Sequence, residues 1–84
     1  MIKVYTRIEP CPFCDKAKKL LNIHEIPFTE FVIGKDVSRS WVHEAFPSMY
    51  TVPIIVDENR LIGGYDSLLN EITNVGFGKT LLQE

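Results

Sequence analysis

Two thiols three positions apart, in Cys11-Pro12-Phe13-Cys14, are the residues of this chain best suited to chemistry. At the start of a helix that spacing brings both sulfurs to one face, the arrangement of a redox centre. Pro12 suits the first helical position, because the N–H it lacks has no intrahelical partner there. Cys11 then falls at the helix cap. Unpaired N–H groups and the positive end of the helix dipole favour its thiolate, lowering a free-cysteine pKa of ~8.5 toward roughly 3.5 to 7.5. The thiolate is the attacking species. Cys14, one turn further in and less exposed, is within reach of Cys11 and is expected to resolve a mixed disulfide formed there. Lys16, Lys18 and Lys19 add positive charge nearby and read as a solvated helix face.

The elements that must hold this pair follow from periodicity. Phe13, Ala17, Leu20, Leu21 and the ring of His24 recur as the stripe of a helix over Pro12 to His24. Before it, Ile2 to Thr6 reads as a buried strand. After it, Glu25-Ile26-Pro27 breaks the period, and Phe28 to Ile33 reads as a second strand ended by Gly34, completing a right-handed βαβ unit with parallel strands. Asp36 or Ser38 is expected to cap a second helix over Ser38 to Phe46, with Trp41, Val42 and Ala45 facing inward and Pro47 ending it. Thr51 to Val56 reads as a third strand, joined through Asp57-Glu58-Asn59 to an antiparallel return strand, Arg60 to Ile62. Gly63-Gly64 leads to Asp66, the expected cap of a third helix carrying Leu68, Leu69, Ile72 and Val75 and stopping at Gly76. The tail, Phe77 to Glu84, reads either as one more helical turn or as a frayed end. The order is β-α-β-α-β-β-α, an α/β chain with a four-stranded mixed sheet and helices on both faces.

Composition bounds what such a domain does. Eighty-four residues make one small domain over positions 1–84, and 45% hydrophobic residues argue for a folded globule. A formal charge of −2 supplies no basic footprint, which argues against nucleic-acid binding by a whole-surface patch. The first residues lack the pattern of a secretory signal, and no segment is long enough to span a membrane. A disulfide closing so short a loop adds little stability, so a structural staple is a poor account of Cys11 and Cys14. In a reducing cytoplasm such a pair is catalytic or metal-binding.

At this point the chain resembles the glutaredoxins, small members of the thioredoxin-fold superfamily. The likeness rests on Tyr5-Thr6, Cys11-Pro12-Phe13-Cys14, Ala17-Lys18, Leu20-Leu21, Thr51-Val52-Pro53 and Gly63-Gly64-Tyr65-Asp66, which together span positions 2 to about 72. It implies the thioredoxin fold and a glutathione-dependent thiol-disulfide oxidoreductase of the dithiol type, with glutathione as co-substrate and no bound cofactor or metal. It also implies a cis Val52-Pro53 bond facing the cysteines, with Val52 presenting its backbone to an extended peptide. By itself the sequence would not choose cis, since a trans bond is the default before proline, and the alternative reading of Pro53 is an edge-strand proline that blocks aggregation. Glutathione is expected against Thr51, Val52, Pro53, Gly64, Tyr65 and Asp66, its γ-glutamyl end at the Gly64-Tyr65-Asp66 turn. Read without the likeness, that turn is an ordinary helix start.

Three departures stand out. Arg7-Ile8-Glu9-Pro10 makes the loop before Cys11 one residue longer than the usual form, Phe13 replaces the more common Tyr, and Ile54-Ile55 follow Pro53 where many relatives carry Gln and an aromatic. Two other functions stay open. One is a thioredoxin-like donor recharged by a flavoprotein reductase and feeding a protein such as ribonucleotide reductase. The other is a metal or iron–sulfur module, for which His24 and His43 stand at spacings unlike a zinc finger and read as surface or partly packed residues. The expected partners are glutathione and protein disulfides, and the expected state is a cytoplasmic monomer.

Overall fold

The computed structural model describes residues 1–75. Strand β1 (Ile2–Arg7) leads into helix α1 (Pro12–Ile23), then β2 (Phe28–Ile33), α2 (Arg39–Ala45), β3 (Ile54–Asp57), β4 (Arg60–Gly63) and α3 (Tyr65–Asn70), which continues as a π-helical turn over Glu71–Val75. The sheet order is β2-β1-β3-β4. β1 and β2 run parallel with Ile2 opposite Phe28 and Thr6 opposite Val32, whereas β1–β3 and β3–β4 are antiparallel. This is the mixed four-stranded sheet expected from the sequence, and the predicted bounds of β2 hold to the residue.

Because side chains alternate across a strand, β1 serves two cores. Ile2 and Val4 join Ala17, Leu21, Ile26, Ile55, Leu68 and Ile72 beneath α1 and α3, whereas Tyr5 joins Val42, Ile54 and Val56 beneath α2. Helices therefore cover both faces, and β1 lies between them.

Several local expectations are corrected. The inward face of α1 is Cys14, Ala17 and Leu21 with Leu20 partly buried, while Phe13 is 54% exposed and stands beside the Tyr65 ring instead. Trp41, expected as a core anchor, is 48% exposed, and Ala45 also faces out. Within α2 Val42 alone is buried, and Phe46, four residues on, packs partly against the same core. Trp41 instead lies over the edge of that core, 6.0 Å from the Tyr5 ring and 6.1 Å from Phe46 between centroids. β3 begins at Ile54 rather than Thr51, its pairing with β1 starting at Ile54 opposite Tyr5, and the Val52-Pro53 bond just before it is cis. The cap of α3 is Gly64, with Asp66 the second residue inside the helix, and Leu69 faces solvent. The expected stop at Gly76 and the tail over 77–84 lie outside the described residues, as does the side chain of Val75.

Candidate functional site

Cys11 is the N-cap of α1, with extended backbone (φ −143°, ψ 95°) and Pro12 beginning the helix. The Cys14 N–H donates to Cys11 Sγ at 3.1 Å, so a backbone dipole points at that sulfur in addition to the helix end. The two residues are joined as a disulfide with their α-carbons 5.2 Å apart. Both are buried, Cys14 at 2% exposure and Cys11 at 7%, so Cys11 is the more accessible, as the sequence leads one to expect.

A cleft of about 320 Å³ is lined by Phe13, the residue between Pro12 and Cys14, together with Met49, Thr51, Val52, Pro53, Gly64, Tyr65, Asp66 and Ser67, while neither cysteine is among its lining residues. All six residues expected against glutathione line this one cleft, although Thr51-Val52-Pro53 and Gly64-Tyr65-Asp66 lie on opposite sides of the β3–β4 hairpin. Gly63 makes the approach feasible. It sits at φ +126°, and a β-carbon there would come within 2.7 Å of Ser67 Oγ. Gly64 passes under Pro53, whose carbonyl oxygen would lie 3.7 Å from a β-carbon at position 64. Phe13 and Tyr65 flank the mouth with ring centroids 6.0 Å apart, and the Lys16 ammonium stands 5.2 Å and 5.8 Å from the two rings.

A larger cleft of about 450 Å³ adjoins the first, sharing Met49, Thr51 and Val52 with it. Arg7 lines this second cleft, and its guanidinium donates to the Pro10 carbonyl at 2.6 and 3.1 Å, which closes the longer loop back on itself. Sequence reasoning missed Met49 and Ser67. Met49 carries no chemistry that a motif would mark, and Ser67 is seen only once the helix start is fixed. His24 is partly packed and His43 exposed, and among the described residues no group of three or more His, Cys, Asp or Glu gathers as a metal set. No helix among the described residues is long and apolar enough to cross a membrane.

Comparison with known proteins agrees with the geometry. The glutaredoxin family model matches residues 2–62. The chain is 37% identical over 67 residues to hybrid peroxiredoxin hyPrx5 of Haemophilus influenzae, covering 80% of this chain but only 27% of that protein's length. It is 33% identical over 67 residues to glutaredoxin 3 of Escherichia coli K12, covering 80% of each chain. The crystal structure of glutaredoxin 1 from Francisella tularensis, complexed with cacodylate, superposes with a TM-score of 0.74 at 28% identity, over 90% of this chain and 95% of that one. Sequence, sheet order and the seat of the cysteine pair thus converge, and the chain belongs to the glutaredoxin family of the thioredoxin-fold superfamily.

Proposed function

We propose that the chain is a thiol-disulfide oxidoreductase that takes glutathione as co-substrate. The observation that carries this reading is the 3.1 Å hydrogen bond from the Cys14 N–H to Cys11 Sγ at the helix cap, which favours an ionised sulfur at position 11. In the dithiol form, the Cys11 thiolate attacks one sulfur of a protein–glutathione mixed disulfide. A new sulfur–sulfur bond forms to glutathione, the old one breaks, and the protein thiolate leaves and takes up a proton. A second glutathione thiolate then displaces the first from Cys11, giving glutathione disulfide and restoring the thiolate. With a protein disulfide, the Cys11 thiolate attacks one sulfur and releases the other as a thiolate that takes up a proton. Cys14 then loses its proton, attacks Cys11 Sγ and expels the second protein thiolate, and two glutathiones reopen the resulting Cys11–Cys14 bond, leaving as glutathione disulfide. The cysteine pair carries the electrons itself, so the reaction calls for no resident cofactor.

Within this reading, the 320 Å³ cleft seats glutathione. The Val52 backbone meets its peptide as an added strand, and the γ-glutamyl end is held by Gly64, Tyr65 and Asp66. The proposal extends to a cytoplasmic monomer acting on protein disulfides, of which ribonucleotide reductase supplies one of suitable type.

A glutathione-coupled assay on a small mixed disulfide tests the proposal. The intact chain is expected to turn over, Cys11→Ser to be inactive, and Cys14→Ser to keep deglutathionylation while losing reduction of protein disulfides that need two thiols. Turnover by Cys11→Ser, or reduction by thioredoxin reductase with none by glutathione, would sink it.

A further inference from the structure

Thr6 is the one buried polar side chain among the described residues, at 2% exposure, and no step of the exchange reaction uses it. Its hydroxyl donates to a Glu30 carboxylate oxygen at 2.7 Å, and Lys18 Nζ spans both oxygens of that carboxylate at 3.2 and 3.1 Å. One residue each from β1, β2 and α1 meets here, with Lys18 and Glu30 about one-third exposed (29% and 31%).

The register places this group behind the sulfurs. Glu30 pairs with Val4, and Thr6 lies two residues further along β1. That advance is about 6.6 Å at a strand's rise, equal to the rise of about four helical residues. Four residues back along α1 from Lys18 is Cys14, so the partly exposed Lys18 flanks the side of the helix on which Cys14 is buried. The other charges facing the group are Asp15 on α1, 4.0 Å from Lys18, and Asp36 in the loop after β2, whose carboxylate accepts the Val32 N–H at 2.8 Å. Burial works to raise the Glu30 carboxyl, but the Thr6 hydrogen bond and Lys18 outweigh it and hold the group below the ordinary carboxylate range. Glu30 is accordingly a fixed anion at neutral pH and a poor proton acceptor.

We propose that Lys18 and Glu30 are positioning residues for the redox reaction: a compensated charge pair, locked to β1 by Thr6, that sets the acidity of the cysteine thiols from about one helical turn behind Cys14 and two behind Cys11. The inference rests on the cysteine pair being the redox centre. While the pair is intact, the two opposite charges nearly cancel at the sulfurs. With the carboxylate removed, the ammonium alone favours thiolate and makes the dithiol harder to oxidise. With the ammonium removed, the carboxylate alone disfavours thiolate and makes the dithiol a stronger reductant.

The test is the ultraviolet thiolate absorbance against pH, and the dithiol–disulfide equilibrium in dithiothreitol buffers, for the intact chain and variants. Glu30→Gln is expected to raise the thiolate fraction, measured below the midpoint, about threefold and to shift the equilibrium about threefold toward the dithiol. Lys18→Met is expected to move both the opposite way, the double variant to return close to the intact chain, and Lys18→Arg, which keeps the charge, to behave like it. Loss of packing alone predicts shifts of one sign. Unchanged values in both single variants, or shifts in the same direction, overturn the proposal. If Glu30→Gln does not fold, Lys18→Met against Lys18→Arg decides the matter alone. Neither readout needs glutathione, so failure of the glutathione reading leaves this result interpretable.

Discussion

Cys11 gains its character from where it stands rather than from what surrounds it in sequence: an N-cap sulfur receiving a backbone N–H, with its partner one turn deeper. The Cys-x-x-Cys spacing with Pro12 made this legible before any coordinates. Gly63 carries an equal burden with less notice. Its positive φ and the 2.7 Å approach to Ser67 leave no room for a side chain where β4 passes into α3. Gly63→Ala is expected to lower stability by at least about 1 kcal/mol, read as a lower denaturant midpoint, and to weaken ligand binding in the cleft. The Thr6–Glu30–Lys18 group was not legible at all. Each of the three is an unremarkable residue type, and Lys18 reads as part of a solvated run until the parallel register sets Glu30 beside it.

At the scale of elements, periodicity and turn signals located the strands and helices among the described residues, and the errors share a cause. Periodicity reports which residues are apolar but not which of them the rest of the chain covers. Phe13 lines the 320 Å³ cleft beside Tyr65, and Trp41 stands near Tyr5 and Phe46 without being covered, so both remain half exposed. Thr51 and Val52 were read as strand because their types suit one, whereas the cis bond at Pro53 was implied by the family likeness alone. Ser38, by contrast, caps α2 as its type and place suggest. Its Oγ accepts the Trp41 N–H at 3.0 Å, while Asp36, the other candidate, is taken up by Val32. Ser38→Ala is expected to cost about 1 kcal/mol, measurable by denaturant unfolding. Because α2 borders the 450 Å³ cleft through Arg39, Val42 and His43, that loss would loosen the wall of a cleft whose chemistry lies elsewhere.

For the molecule as a whole, two ion pairs join elements that also share the cores. Lys18–Glu30 links α1 to β2, and Arg60–Glu71, at 3.1 Å, links β4 to the turn following α3. The Arg60 hydrogen bond lowers the Glu71 carboxyl, as Thr6 and Lys18 lower that of Glu30 against the opposing effect of burial. Both carboxyls therefore titrate lower in the folded chain than in the unfolded one. Their stabilisation is complete above the unfolded value of ~4.3 and is lost as pH falls through the lower folded values. The unfolding temperature is expected to change little with these groups from neutral pH to about 5 and to fall below that. Glu30→Gln should flatten the acid limb, and an acid limb identical to that of the intact chain would count against the assignment.

The 320 Å³ cleft has one more consequence. Its walls come from the start of α1, the segment before β3 and the start of α3, stretches that meet only once β1 has paired with β3 and β3 with β4. An unfolded chain cannot offer that surface, so occupancy and folding are thermodynamically linked. A molecule seated there at a hundred times its dissociation constant adds about 2.7 kcal/mol to the free energy of unfolding, a sizeable fraction of what a domain this small possesses. Cells rich in such a molecule would hold the protein folded by mass action.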